Sequence, residues 1–347
     1  MAKEEKQKPK AIDLFSGCGG LTLGLKRAGF AVIGAVEICE LAVETYRMNH
    51  PEVTVWHEDI LSLSLGRMKR NVGIRKYELD LLAGCPPCQG FSSIRTRNGR
   101  RRVRDSRNDL LFDFLRFVDG LRPRAVMLEN VPGLTRTVRM QRFVRELRSL
   151  GYHVNHDVLN AADYGVPQRR RRLILVAGRD GGTIEFAQPA RVNCTVRDAI
   201  GTMKPVGKSG DSLHDLPESR SPRIAKLIAR IPKDGGSRAA LGNGHQLQCH
   251  RECDGFKDVY GRMSWDDVAP TITGGCVNPS KGRFLHPSDD RCITLREAAC
   301  LQGFPKRYCF SLDRGKFSAA AMIGNALPPE FIRRHATAIH RYLCEND

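Results

Sequence analysis

Nowhere does the sequence hold an uninterrupted apolar run approaching the roughly 20 residues of a membrane span, so the chain is expected not to be integral to a membrane. Residues 1–10 are rich in Lys and Glu and have no apolar centre. They are read as a flexible basic tail, not as a signal peptide. Internal repeats and low-complexity tracts are missing, which sets aside repeat architectures. Acidic residues are in short supply: 38 Asp and Glu face 56 Lys and Arg, a formal net charge of +18 over 347 residues. Solubility does not require that surplus, and its usual counterpart is a polyanion, most often nucleic acid. A ribosomal or histone-like chain is also basic but rarely carries 33 Gly and 12 Cys. With 41% apolar residues the chain can bury a core, and its length suits two domains at roughly 150 residues each.

Without a secretory signal the cysteines are read as reduced thiols of a cytosolic protein. Cys18, Cys39, Cys194, Cys300, Cys309 and Cys344 stand singly among apolar or small neighbours and are expected to be small buried hydrophobes.

From Ala11 the pattern alternates strand and helix. Strands are expected at Ala11–Phe15, Ala31–Val36, Val53–Trp56, Leu79–Ala83, Ala125–Leu128, Val154–Leu159 and Leu173–Ala177, with helices around Leu21–Ala28, Leu41–Met48, Leu110–Leu121 and Phe143–Leu150. This order predicts an α/β fold, a doubly wound, mainly parallel sheet covered on both faces. The rhythm breaks at Phe186. Residues 186–285 are rich in Gly, Pro, Ser and charge and are read as a smaller, loop-rich domain. Helical periodicity returns afterwards, and Ile332, Ala336, Ile339 and Leu343 form an apolar stripe behind Pro328 and Pro329. So late an amphipathic helix needs the large domain to pack on. The small domain is therefore expected to be inserted, with boundaries 1–10, 11–185, 186–285 and 286–347.

Asp13-Leu-Phe-Ser-Gly17-Cys18-Gly19-Gly20 follows a strand and opens a helix, where such sheets bind nucleotide-like ligands. The spacing is not G-x-G-x-x-G and no G-K-[ST] follows, so phosphate binding is weakly supported. Glu37 ends the next strand, where an acid can accept both ribose hydroxyls. Asp59 follows the third and could take an adenine amino group. The ligand implied contains adenosine without needing phosphates, and S-adenosylmethionine fits. A purely structural glycine turn is the competing reading.

Gly84-Cys85-Pro86-Pro87-Cys88-Gln89-Gly90-Phe91-Ser92 follows the fourth strand and admits three readings. A redox pair would want a helix N-terminus next to it. Half a zinc site would need a second pair such as Cys249, His250 and Cys253, whose adjacency is awkward; no metal is expected. The third reading is a nucleophilic thiolate in a rigid loop at the carboxyl edge of the sheet. Glu129-Asn130-Val131-Pro132-Gly133 ends a strand at the same edge, where an acid beside apolar residues can hold a proton for a base ring. In Gln168-Arg169-Arg170-Arg171-Arg172, strand alternation makes Arg170 and Arg172 project together and Arg169 and Arg171 point away. Seven arginines from Arg95 to Arg107 form a cationic stretch suited to closing over a phosphate backbone.

Together with Thr294-Leu-Arg-Glu-Ala-Ala-Cys-Leu-Gln-Gly-Phe-Pro and Gly324-Asn325-Ala-Leu-Pro-Pro, these motifs make the chain resemble the DNA (cytosine-5)-methyltransferases of bacterial type over nearly all of residues 11–345. The resemblance implies a Rossmann-like S-adenosylmethionine-dependent sheet with residues 186–285 as target recognition domain and 286–347 as a return segment. It implies methyl transfer to C5 of a flipped-out cytosine in a specific duplex sequence. Cys88 would attack C6 after Pro87, Glu129 would bind and protonate N3, Arg172 would hold the ring with Arg170 close by, and Asn130 would brace the loop. Asp13, Phe15, Gly17, Cys18, Gly19, Gly20, Glu37, Ile38, Asp59, Ile60, Leu110 and Asn325 would form the cofactor pocket, Cys18 by packing alone. Gln89, Ser92, Arg95, Arg97, Arg104 and Thr271 would meet DNA. The implied protein is a cytoplasmic, nucleoid-associated monomer whose partners are duplex DNA and, acting separately, a cognate restriction endonuclease. Cys85 is an extra thiol whose role is open. Rival readings are a tRNA-directed member, a non-catalytic DNA-binding regulator, and a nicotinamide oxidoreductase, the last disfavoured by the glycine spacing.

Overall fold

The computed structural model describes residues 7–87, 110–242 and 258–346. Its contacts divide the chain into two units. One comprises Met1–Asn160, Arg171–Pro189 and Pro329–Asp347, the other Ala161–Arg170 and Ala190–Pro328.

The first unit is built on seven strands: β1 (Lys10–Leu14), β2 (Ala31–Glu37), β3 (Thr54–His57), β4 (Leu81–Gly84), β5 (Ala125–Asn130), β6 (His153–Asn160) and β7 (Arg171–Gly178). They lie in the order β3-β2-β1-β4-β5-β7-β6. The first five pair in parallel, while β7 is antiparallel to both β5 and β6. Crossovers are made by α1 (Gly20–Arg27), α2 (Glu40–Asn49), α3 (Leu65–Val72), α4 (Leu110–Leu121) and α5 (Val138–Ser149). Because the chain winds outward from β1 to β3 and returns to β4 on the other side, a crevice opens beyond the carboxyl ends of β1 and β4.

β4 and β5 are buried at every position, as parallel strands covered on both faces should be. On one face Ile12, Leu14, Leu82, Val126 and Leu128 pack with Phe114 and Phe117 of α4 and Phe143 and Leu147 of α5. The terminal helix, Pro329–Glu345, packs against α1 and buries Ile332, Ala336, Ile339 and Leu343, the stripe expected from sequence. It is pinned further where the Tyr342 hydroxyl accepts the N–H groups of Asp180 and Gly181 at 3.1 and 2.7 Å. Helix α3 escapes sequence reading because it buries only Met68. Local signals start and end it: the Ser64 side chain accepts the Arg67 N–H, and Gly73 follows at φ +63°. Lys10, assigned above to the tail, is the first residue of β1.

The second unit has short helices, α6 (Val196–Ile200), α7 (Ser212–Asp215), α8 (Pro222–Arg230), α9 (Leu295–Leu301) and α10 (Gly315–Asn325), and isolated β-bridges in place of a sheet among the described residues. Arginines stand in for ladders. The fully buried Arg262 donates to the carbonyls of Ile228, Ile231 and His286. Among the described residues no helix is long and apolar enough to cross a membrane. The cysteine expectation needs correcting. Cys18 and Cys300 are buried, but Cys39, Cys309 and Cys344 are exposed, because each falls on the open side of a helix end or loop.

Candidate active site

The residues expected to hold an adenosine ligand line up along the carboxyl edge of β1, β2 and β3. After β1 the chain turns sharply: Phe15 sits at φ +60°, Gly17 at +53° and Gly19 at +91°. A left-handed Phe costs on the order of 1–3 kcal/mol and persists only where its surroundings demand it. A Cβ on Gly17 would meet nothing within 4 Å, so this glycine serves the backbone angle and leaves open space above the turn. Gly20 starts α1. Glu37, at the end of β2, ties the turn down. Its Oε2 accepts the Gly17 N–H at 2.8 Å, and its Oε1 accepts those of Ile38 and Cys39 at 2.9 and 2.8 Å. In the turn after β3, Asp59 Oδ1 accepts the Leu61 N–H at 2.9 Å.

The donor set fits an adenosine-containing ligand. Acids end β2 and follow β3, and Ile38 and Leu61 beside them are 62% and 60% exposed, unusual for large apolar side chains and suited to a flat base. Ile60, named from sequence, is buried, and Leu61 next to it is exposed. Beneath the glycine turn Asp13 is fully buried; its Oδ2 accepts from the Thr22 hydroxyl at 2.7 Å, while Oδ1 has no partner among the described residues. Burial pushes the Asp13 carboxyl up to about 7, against the Thr22 hydrogen bonds. Burial also pushes the Cys18 thiol up to about 12, so it packs and does not react.

The second half of the site lies at the ends of β4 and β5. A Cβ on Gly84 would come within 2.6 Å of the Leu14 carbonyl and 2.9 Å of Phe114, so only glycine allows β4 to end here. Cys85, Pro86 and Pro87 follow. Cys88, Gln89, Ser92, Arg95, Arg97 and Arg104 lie outside the described residues, as do Cys249, His250 and Cys253. Glu129 is 2% exposed at the end of β5. Its Oε2 accepts from the Cys85 thiol at 2.8 Å, and the Arg172 Nε stands 2.9 Å from Oε1 without the alignment of a hydrogen bond. The register explains this meeting. Glu129 is opposite Ile174, and Arg172 is two residues away on the same face of β7. Asn130 braces the strand end, its Nδ2 donating to the Pro86 carbonyl at 2.8 Å and its Oδ1 accepting the Val131 N–H at 2.9 Å. Leu110 opens α4, half-buried.

The remaining residues belong to the second unit. Arg170 is buried and donates to the carbonyls of Ile272 and Gly324 at 3.0 and 3.2 Å. Thr271 donates to the Arg169 carbonyl at 2.6 Å. Gln168 donates to Gln302 and accepts from the Ile272 N–H, and Gln302 donates in turn to the Ile323 carbonyl. A Cβ on Gly324 would overlap Thr273 at 2.2 Å. Three sequence motifs and the Thr271-Ile272 segment therefore meet in one buried polar network that the sequence did not reveal. Asn325 ends α10, exposed.

A family model for C-5 cytosine-specific DNA methylases matches residues 9–341. The chain is 36% identical over 346 residues to the Type II methylase M.HgiDII of Herpetosiphon aurantiacus, covering 96% of this chain and 95% of that one. It is 35% identical over 339 residues to the Type II methyltransferase M1.HphI of Haemophilus parahaemolyticus, covering 94% and 86%. Among solved structures, a DNA modification methyltransferase encoded within an E. coli prophage superposes with a TM-score of 0.74 at 25% identity, covering 97% and 99%.

Proposed function

This chain belongs to the C-5 cytosine-specific DNA methylase family and is a DNA (cytosine-5-)-methyltransferase, and from that premise we propose how its residues act. The target is a cytosine turned out of duplex DNA within a specific sequence, since C5 and C6 are inaccessible in the stack and extrusion costs roughly a few kcal/mol. The Glu37 carboxylate receives the ribose hydroxyls of S-adenosylmethionine, Asp59 the adenine amino group, and the Gly17–Gly20 turn leaves room above it. Bound there, the cofactor supplies an electrophilic methyl group for C5.

Cytosine C5 is a poor nucleophile until the ring is activated. The Cys88 thiolate forms a bond to C6 while Glu129 passes a proton to N3, leaving C5 electron-rich. Arg172 beside Oε1 stabilises the carboxylate that remains, and Asn130 holds the root of the loop through Pro86. Once C5 has taken the methyl group, its proton is lost to solvent, the thiolate leaves C6 and Glu129 recovers the proton from N3, which restores the ring. Residues 186–285 read the target sequence, and the Arg95–Arg107 stretch clamps phosphates. The protein works as a cytoplasmic monomer, beside a restriction nuclease that acts separately, as its Type II relatives suggest.

One observation carries this reading: a buried Glu129 whose two oxygens face Cys85 and Arg172, with Asn130 tied to the residue two before Cys88. Incubation with duplex DNA containing 5-fluorocytosine should trap an adduct that peptide mapping places on Cys88, absent in Cys88→Ser. Glu129→Gln should slow methyl transfer about 100-fold or more. Methylation by Cys88→Ser, or label entering tRNA and not DNA, would overturn the proposal.

A further inference from the structure

The turn Asp59–Leu63 presents the acid assigned above to adenine, and it is held from an unexpected quarter. Ile60 and Leu63 anchor it in the core by their side chains, which leaves the backbone between them to be oriented. Asp59 contributes locally: Oδ1 accepts the Leu61 N–H and its carbonyl the Ser62 N–H. The carbonyls of Ile60 and Leu63 go to a single side chain 53 residues or more along the chain. This is Arg116 of α4, whose Nη2 donates to Ile60 O at 2.6 Å and Nη1 to Leu63 O at 3.3 Å. The guanidinium lies over the Phe117 ring at 4.6 Å, and its Nε is 3.7 Å from Asp113. A planar fork with fixed donor directions, held by a ring and an acid, spans the turn as a lysine could not.

We infer that Arg116 is a positioning residue for the adenosine end of the cofactor site. It acts through the backbone it holds, setting where Asp59 Oδ2 and the exposed Leu61 side chain meet the ligand. This rests on the reading of Asp59 given under the proposed function. It also couples the site to α4, whose first turn follows directly on the Arg-rich stretch after Cys88.

The test is equilibrium binding by titration calorimetry on the full chain, with S-adenosylmethionine and, separately, S-adenosylhomocysteine. Arg116→Met should weaken both about tenfold, and Arg116→Lys, which can reach only one carbonyl, about threefold. Arg122→Met, which removes ties to Asp119 and the Leu150 carbonyl at the far end of α4, should bind as wild type. In methylation assays the Arg116 variants should raise KM for the cofactor and leave kcat within about twofold at saturation. Unchanged affinity in a folded Arg116→Met variant, or equal weakening by Arg122→Met, would overturn the inference. If Arg116→Met does not fold, Arg116→Lys decides by the same criterion. Asp59→Asn separates the two readings: normal binding by that variant sinks the role of Asp59, whereas weakened binding there with normal binding in both Arg116 variants sinks the tie alone.

Discussion

Asp13 shows what burial does to one carboxyl. It lies fully enclosed in β1 with the Thr22 hydroxyl on one oxygen, and burial raises its folded pKa to about 7 from 3.8. A raised carboxyl contributes stability that is fully present below the unfolded value and is lost as pH climbs through the folded one. Between about pH 4 and 7 the protein should therefore lose on the order of a few kcal/mol relative to an Asp13→Asn variant, which cannot ionise. Melting temperatures of the two proteins from pH 5 to 9 should diverge, with the variant ahead at the alkaline end; parallel curves would refute the assignment. That Glu37 and Glu129 stand at the ends of β2 and β5 was legible at this scale, because each acid follows an apolar run that marks a strand. The thiol facing Glu129 and the exposure of Leu61 were not, since each depends on side-chain direction at a turn.

Two elements show how far periodicity reaches. The stripe of the terminal helix identified its buried face, but its partner is visible only in three dimensions. Gly24 of α1 touches it so closely that a Cβ would stand 2.5 Å from Ile332 Cβ and 2.7 Å from the Pro329 carbonyl. Gly→Ala within a helix ordinarily adds up to about 1 kcal/mol of stability. Here overpacking should reverse the sign, and Gly24→Ala should lose about 1–3 kcal/mol by denaturant titration. The hairpin of β6 and β7 makes the opposite point. Both strands are readable from sequence, yet nothing local says that β7 inserts between β5 and β6. That insertion brings Arg172 to Glu129, while Arg170, two residues earlier, is spent on carbonyls of the second unit.

Across the whole molecule the surplus of +18 has two destinations. Arg170, Arg262 and Arg296 are at most 6% exposed and donate to backbone carbonyls, because a unit with little regular structure needs side-chain donors for them. We expect the remaining surplus to meet phosphate. Binding to duplex DNA should accordingly fall steeply with salt, log K against log salt declining by roughly 0.9 per phosphate neutralised and by about 5 or more in total. A slope near zero in fluorescence anisotropy between 50 and 200 mM salt would show that the charge serves folding alone.

Sequence alone determined the winding of the parallel strands, the acids that close them and the family, because period-2 and period-3.6 patterns, turn glycines and ordered motifs are written along the chain. Tertiary structure decided what those residues touch: Arg172 on Glu129, Arg116 on the Asp59 turn, and Gln168, Arg170, Gln302 and Gly324 in one buried network. Contacts between groups far apart along the chain leave no local trace. Their partners are chosen by strand order and packing, after the chain has folded.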